Sequence, residues 1–156
     1  MEKVKFVYEE QFNNDLKKFF MNEWPSANKD VFNFTDQTRW KMEEHIITAK
    51  KNKEILGVAQ FRIIGGVGYL STLLVKEEYR GKGFIGGKLL SQFEDKAKNN
   101  NCHKLSLKSY KDSQSSNFFA SKGYLIEGIL KNDIHGIDWV MFAKYLDKTN
   151  KGSDSL

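Results

Sequence analysis

Apolar and polar residues along this chain alternate in some stretches and recur every three or four positions in others. Residues 4–8 alternate and predict a first strand; Phe12, Leu16, Phe19 and Phe20 then recur at helical spacing. Trp24-Pro25-Ser26 is expected to end that helix, since proline disfavours helical geometry in the residue before it. A second short helix is predicted over 35–44. Residues 45–50 and 55–64 form a hairpin candidate around Lys51-Asn52-Lys53-Glu54, and a third strand is expected over 68–75. A helix over 86–98 would bury Leu89, Leu90, Phe93 and Ala97 on one face, with Asn99-Asn100-Asn101 closing it. Leu105 and Leu107 alternate in a further strand. A shorter helix over 113–121 stops at Gly123, and 124–130 with 137–146 read as a final antiparallel pair.

The order β-α-α-β-β-β-α-β-α-β-β predicts a mixed α/β sheet, mostly antiparallel, with a central β-α-β crossover. A length of 156 residues suits one domain, expected over 1–147, with a polar, frayed tail at 148–156. At 40% hydrophobic and 13% aromatic residues, the composition excludes a largely disordered chain. No apolar run approaches the roughly 20 residues that span a bilayer. The start Met1-Glu2-Lys3 alternates at once and reads as no signal peptide, so no membrane partner is expected.

Charge and cysteine usage narrow the chemistry. The formal charge of +5 comes from dispersed lysines rather than a basic arm, which argues against nucleic acid and fits a cationic patch for a small phosphorylated ligand. Cys102 is the one cysteine, and His45, His103 and His135 are scattered. That excludes an internal disulfide and implies no metal; the default setting is the reducing cytoplasm.

The richest segment is Tyr79-Arg80-Gly81-Lys82-Gly83-Phe84-Ile85-Gly86-Gly87-Lys88, between a predicted strand and a predicted helix. Its glycines leave backbone N–H groups open to a ligand, and the helix start adds unpaired donors and the positive end of a dipole. Arg80, Lys82 and Lys88 add full charge, so the segment reads as a pyrophosphate cradle. No Gly-Lys-Ser/Thr follows, which disfavours a nucleotide P-loop. The dinucleotide pattern is formally present at Gly81, Gly83 and Gly86, but no matching first β-α unit opens the chain.

Leu73-Leu74-Val75-Lys76-Glu77-Glu78-Tyr79-Arg80-Gly81-Lys82-Gly83 closely resembles the strand and loop of the GCN5-related N-acetyltransferase (GNAT) family. Arg80 and Gly83 match the first two fixed positions of its Gln/Arg-x-x-Gly-x-Gly/Ala pattern; Ile85 stands at the third, with Gly86 after it. Leu89 and Leu90 follow Gly86 at the family's spacing, which implies one extra residue bulging the loop around Phe84-Ile85. Phe118-Phe119-Ala120-Ser121-Lys122-Gly123-Tyr124 resembles the family's Phe-Tyr-x-x-x-Gly-Phe segment, with Phe119 where a tyrosine often protonates the departing sulfur. Asp112 and Ser115 stand at the positions of the family's usual Asn and Ala.

The resemblance implies a GNAT-like fold and direct acetyl transfer from acetyl-CoA, a co-substrate, to a primary amine. The amine is expected on a small molecule, with a protein or peptide amine second. An acyl-CoA-binding module without turnover is the competing class. The implied cofactor contacts are Leu73, Leu74, Val75, Arg80, Gly81, Lys82, Gly83, Phe84, Ile85, Gly86, Gly87, Lys88, Asp112, Ser115, Phe118 and Phe119. The pantetheine arm would lie where the strand ending at Val75 splays from the one holding Leu105 and Leu107, with the Leu74 backbone N–H as oxyanion donor. Phe119 is expected to pack along the channel, leaving Ser115, Ser116, Tyr124 or water to protonate the thiolate. Glu43, Asp133, His135 and Asp138 are the candidate bases. Ordinary packing is the default for Trp24, Phe32, Phe34, Trp40, Trp139 and Cys102, and a solvated turn for His135. A homodimer is a further expectation, as many family members dimerise.

Overall fold

The computed structural model describes residues 4–32, 34, 36–82 and 84–146. Gly83 and the expected tail at 148–156 lie outside the described residues. The chain divides into two compact units, Met1–Lys41 and Met42–Leu156.

In the first unit, α1 spans Asn14–Asn28. The Asn13 side chain caps it, accepting from the N–H groups of Asp15 and Leu16, both at 3.0 Å. The helix runs through Pro25 for a further turn instead of stopping at Trp24. Residues 4–8 form no strand. They alternate, yet Val4, Phe6, Val7 and Tyr8 are all exposed, so the pattern finds no face to bury. The second predicted helix shrinks to a 3-10 turn at Gln37–Trp40, capped by the Asp36 carboxylate. Its predicted last residues, Glu43 and Glu44, open a strand instead.

The second unit is a six-stranded sheet with two helices. β1 (Glu43–Lys51) and β2 (Glu54–Ile64) form the expected hairpin, and β3 (Val67–Val75) pairs antiparallel with β2. Then come α2 (Phe84–Asn99), β4 (Lys104–Tyr110), α3 (Gln114–Ser121), β5 (Leu125–Leu130) and β6 (Trp139–Tyr145). The strand order is β1-β2-β3-β4-β6-β5. β3 and β4 are parallel neighbours, as a crossover through α2 requires.

Leu89, Leu90, Phe93 and Ala97 are the buried residues of α2. They pack on Ala59, Phe61 and Ile63 of β2, Leu70 of β3, and Leu105 and Leu107 of β4, in a core that also takes in Phe119, Val140 and Phe142. Cys102 is buried at the junction of α2 and β4, as expected, and burial pushes its thiol pKa up.

One extra residue governs the middle of the sheet. The β2–β3 register runs Phe61↔Leu70 and then Gln60↔Thr72, so Ser71 is a bulge with no partner opposite it. Its Oγ donates to the Gln60 carbonyl at 2.9 Å. β3–β4 pairing ends at Leu70↔Leu107, although β3 continues to Val75 and β4 to Tyr110. Beyond the bulge β3 stays on β2 while β4 stays on β6, up to Tyr110↔Trp139. The sheet therefore forks.

Candidate active site

Two cavities meet in the fork. One, of about 460 Å³, is lined by Leu73, Leu74 and Val75 of β3, by Tyr79, Arg80, Gly81 and Gly86, and by Gln114, Ser115, Asn117, Phe118 and Phe119 of α3. The other, of about 190 Å³, lies between residues 70–73 of β3 and 107–110 of β4, with Ser115, Phe119 and Trp139. Leu73, Ser115 and Phe119 border both, so they mark where the cavities join.

The backbone of β3 offers donors to the fork. The Lys76 N–H donates to the Leu56 carbonyl at 2.8 Å, directly opposite it in register, which makes Lys76/Leu56 a hydrogen-bonded pair. Antiparallel alternation then turns the Leu74 amide toward β2, and those of Leu73 and Val75 away from it, into the fork. The Val75 carbonyl follows the same alternation, accepting from Arg80 Nε at 2.8 Å. Arg80 is thereby tethered to the end of the strand.

Gly81 adopts a φ of +72°, the left-handed geometry that glycine takes without strain, and turns the chain toward α2. The helix begins at Phe84, two residues before its predicted start. The expected loop bulge at Phe84-Ile85 is therefore absent: both residues are helical, Ile85 packing on the core while Phe84 is exposed. Gly86 faces the larger cavity, where an added Cβ would lie 3.6 Å from Val75 Cγ2 and 3.9 Å from Phe118 Cζ.

Of the sixteen expected cofactor contacts, the structure brings Leu73, Leu74, Val75, Arg80, Gly81, Gly86, Ser115, Phe118 and Phe119 to the larger cavity. Lys82, Phe84, Ile85, Gly87 and Lys88 belong to the approach and first turns of α2 but not to its walls. Asp112 sits in a left-handed turn (φ 55°), exposed, ion-paired with Lys111 and outside the residues that line the cavity. Gln114 and Asn117 are wall residues that sequence reasoning missed, and Tyr79, the first residue of the glycine-rich segment, lines the cavity too. The cation Lys122 lies outside those walls, its Nζ 3.8 Å from where a Cβ on Gly87 would stand. Gln114 was within reach, because it precedes Phe118 by one helical turn.

Phe119 is 7% exposed and packs against Phe118, Tyr124 and Phe142 with ring centroids 5.3, 5.9 and 6.2 Å apart. Tyr124 is buried too, its ring 5.5 Å from Lys144 Nζ, and burial with the nearby Glu94 carboxylate pushes its pKa well up. It borders neither cavity. Ser116 Oγ donates to the Tyr110 carbonyl.

Among the base candidates, Glu43 lies on β1, with all of β2 between it and the fork. Asp138 accepts from Lys131 Nζ at 2.6 Å and from the Asn132 N–H at 3.0 Å, which hold its carboxyl below the usual range. His135 is exposed in a turn with φ 59°. Asp133 forms an ion pair with Lys108, which itself lines the smaller cavity. Trp139 does more than pack within the sheet: it walls that cavity, with Tyr110 at 4.3 Å and Lys108 Nζ at 4.8 Å from its ring. The walls of the smaller cavity contain no Asp, Glu or His among the described residues.

A mixed sheet that forks beyond the β3 bulge, with backbone donors in the fork and a glycine turn leading into a helix, is the arrangement that the resemblance to the acyl-CoA-dependent N-acetyltransferases implies. Residues 9–124 match the model of the acetyltransferase (GNAT) family, and the chain belongs to that family, whose members are acetyl-CoA-dependent transferases. No curated protein sequence matches. Among solved structures, the chain is similar to an acetyltransferase from Bacillus cereus, at 24% identity and TM-score 0.69 over 90% of this chain and 98% of that one. It is also similar to a GNAT family acetyltransferase from Elizabethkingia anophelis with acetyl-CoA bound (24% identity, TM-score 0.60, 66% and 76% of the two chains). A third likeness is to the PaiA N-acetyltransferase from Thermoplasma acidophilum in complex with coenzyme A (20% identity, TM-score 0.56, 90% and 81%). These likenesses bear on the fold. No helix among the described residues is long and apolar enough to cross a membrane.

Proposed function

We propose that this protein transfers the acetyl group of acetyl-CoA directly to the primary amine of a small molecule. The observation that carries the reading is the fork: one cavity with a glycine- and cation-lined end opens, at Leu73, Ser115 and Phe119, into a second, smaller one. The residues present fit the co-substrate. Gly86 has no side chain where the cavity wall must let a ligand pass, and Arg80 and Gly81 form its entrance beside the start of α2. Lys82, Lys88 and Lys122 supply further positive charge for the phosphates, with the helix dipole behind them. Acetyl-CoA, when bound, supplies an activated acetyl thioester.

The amides of Leu73 and Val75 face the fork and suit an extended amide-bearing arm. Leu73, at the junction of the cavities, is the better oxyanion donor than Leu74, whose N–H faces β2. The smaller cavity would receive the acceptor, and about 190 Å³ with Ser71, Thr72, Tyr110 and Trp139 in its walls suits a small amine better than a folded chain. Among the described residues those walls hold no carboxylate or imidazole, so the amine reacts as the free base and its proton leaves to solvent. The lone, buried Cys102 supports a reducing, cytoplasmic setting.

The test is release of CoA thiol from acetyl-CoA across a panel of small primary amines and short peptides with free N-termini. Turnover at least tenfold faster on a small amine than on any peptide supports the reading. Preference for peptides overturns the acceptor class, and absence of CoA binding by calorimetry overturns the function.

A further inference from the structure

Phe119 removes the phenol that would face the departing sulfur, yet a group of hydroxyls stands at the same junction. Ser115 Oγ borders both cavities and lies 2.7 Å from Ser109 Oγ and 2.8 Å from Ser113 Oγ. Ser113 Oγ donates to the Tyr110 carbonyl at 2.7 Å, and Ser116 Oγ donates to that same carbonyl. Ser109 and Ser116 are buried.

Each hydroxyl has one proton, and that constraint orders the group. With the Ser113 proton on the Tyr110 carbonyl, the Ser113–Ser115 bond uses the Ser115 proton and the Ser109–Ser115 bond uses that of Ser109. The protons then run Ser109 to Ser115 to Ser113 to carbonyl. The Tyr110 carbonyl, however, is served twice. Ser113 can turn its proton to Ser115 while Ser116 keeps the carbonyl satisfied, leaving no acceptor orphaned. That turn frees the Ser115 proton to point into the cavity junction.

We propose that Ser115 donates a hydrogen bond to the coenzyme A sulfur as it leaves, with Ser113 reversing its own bond to release that donor. This rests on the acetyl-transfer reading above. As the bond between acceptor nitrogen and carbonyl carbon forms, the carbon–sulfur bond breaks and its electron pair stays on sulfur. The Ser115 proton remains on its oxygen and stabilises the thiolate. Nitrogen loses its proton to water, and the thiolate takes one from water, so the exchange balances without a dedicated acid. A thiol of pKa ~8.5 is a good enough leaving group for hydrogen bonding to suffice.

The experiment measures kcat and KM for acetyl-CoA with the fastest amine of the panel, and acetyl-CoA hydrolysis as the acceptor-free arm. Ser115→Ala should lower kcat about 10- to 100-fold, the usual worth of a hydrogen bond to a charged group, with KM for acetyl-CoA within twofold. Ser115→Thr should keep kcat within about threefold. Ser113→Ala, which leaves Ser115 in place and removes the acceptor that otherwise takes its proton, should lower kcat far less than Ser115→Ala. The wild-type pH profile should rise to a plateau, whereas Phe119→Tyr should add a fall near pH ~10 as the new phenol ionises. Full kcat in Ser115→Ala overturns the proposal, and so does equal loss in Ser115→Thr and Ser115→Ala with both folded. Wild type that binds acetyl-CoA and turns over while these variants match it sinks this inference alone. Wild type with no turnover sinks the function as well.

Discussion

Gly86→Ala separates the structural role of the α2 start from its role in the site, because the two responses have opposite signs. Gly86 is helical, and its added Cβ meets nothing nearer than Val75 Cγ2 at 3.6 Å, an ordinary van der Waals distance. Alanine is therefore accommodated without strain and lowers the entropy of the unfolded chain, a gain of about 0.4–1 kcal/mol. For a chain of this size that is an increase of about 1–4 °C in Tm. The same methyl projects about 1.5 Å from the Cα into the larger cavity, whose wall Gly86 forms. A ligand packed against that wall must shift or overlap, at a cost of about 1–3 kcal/mol, which is a Kd about 5- to 150-fold weaker. Calorimetric titration with CoA and a thermal melt of the unliganded protein read both effects on one sample. A higher Tm with unchanged CoA affinity would refute the assignment of Gly86 to the cofactor wall. A lower Tm would refute its helical geometry.

Three further outcomes follow from the packing and charge. Gly57→Ala places a Cβ 3.0 Å from Ile85 Cγ2 and Leu89 Cδ1 and 3.1 Å from the Leu74 carbonyl; urea unfolding should show a loss of about 1–3 kcal/mol, and no loss would mean a looser α2–β2 contact. The buried Cys102 thiol, its pKa raised, should react with Ellman's reagent at least about tenfold more slowly in native than in urea-unfolded protein, and equal rates would contradict its burial. Asp138 and Glu127 have carboxyl pKa values lowered by their lysine partners, with a backbone N–H adding for Asp138 and the Tyr145 hydroxyl for Glu127. Their stabilisation is present above the unfolded value near pH ~4 and disappears as pH falls through the lower folded values; Asp138→Asn should flatten that part of the acid-stability curve, and an unchanged slope would remove Asp138 from the account.

The parts of this fold legible in the sequence are those whose pattern coincides with a single buried face. Leu89, Leu90, Phe93 and Ala97 announce α2 because one helical stripe meets one sheet, and the hairpin of β1 and β2 is signalled by two residues at its turn, with Asn52 at φ 54°. The alternation at 4–8 is as regular but meets no partner, so periodicity there predicts a strand that does not form. Ile85 misled differently: a family pattern suggested a loop bulge, whereas its side chain joins the core as part of the helix. Gln114, Asn117 and Lys122 were missed because their relation to α2 depends on how α3 docks, which no local period encodes. The hydroxyl bonds of Ser109, Ser113 and Ser115 likewise join β4 to α3 across a turn.

Ser71 shows what sort of change this architecture tolerates. Before it, the even-numbered Gly68 and Leu70 are buried; after it, the odd-numbered Leu73 packs against the core. What opens the sheet is thus the tally of residues between two fixed pairings, not the chemistry of a side chain. A substitution at position 71 is expected to leave the count, and with it the fork, in place, whereas a deletion there should restore one alternation along the whole of β3 and draw its end back beside β4.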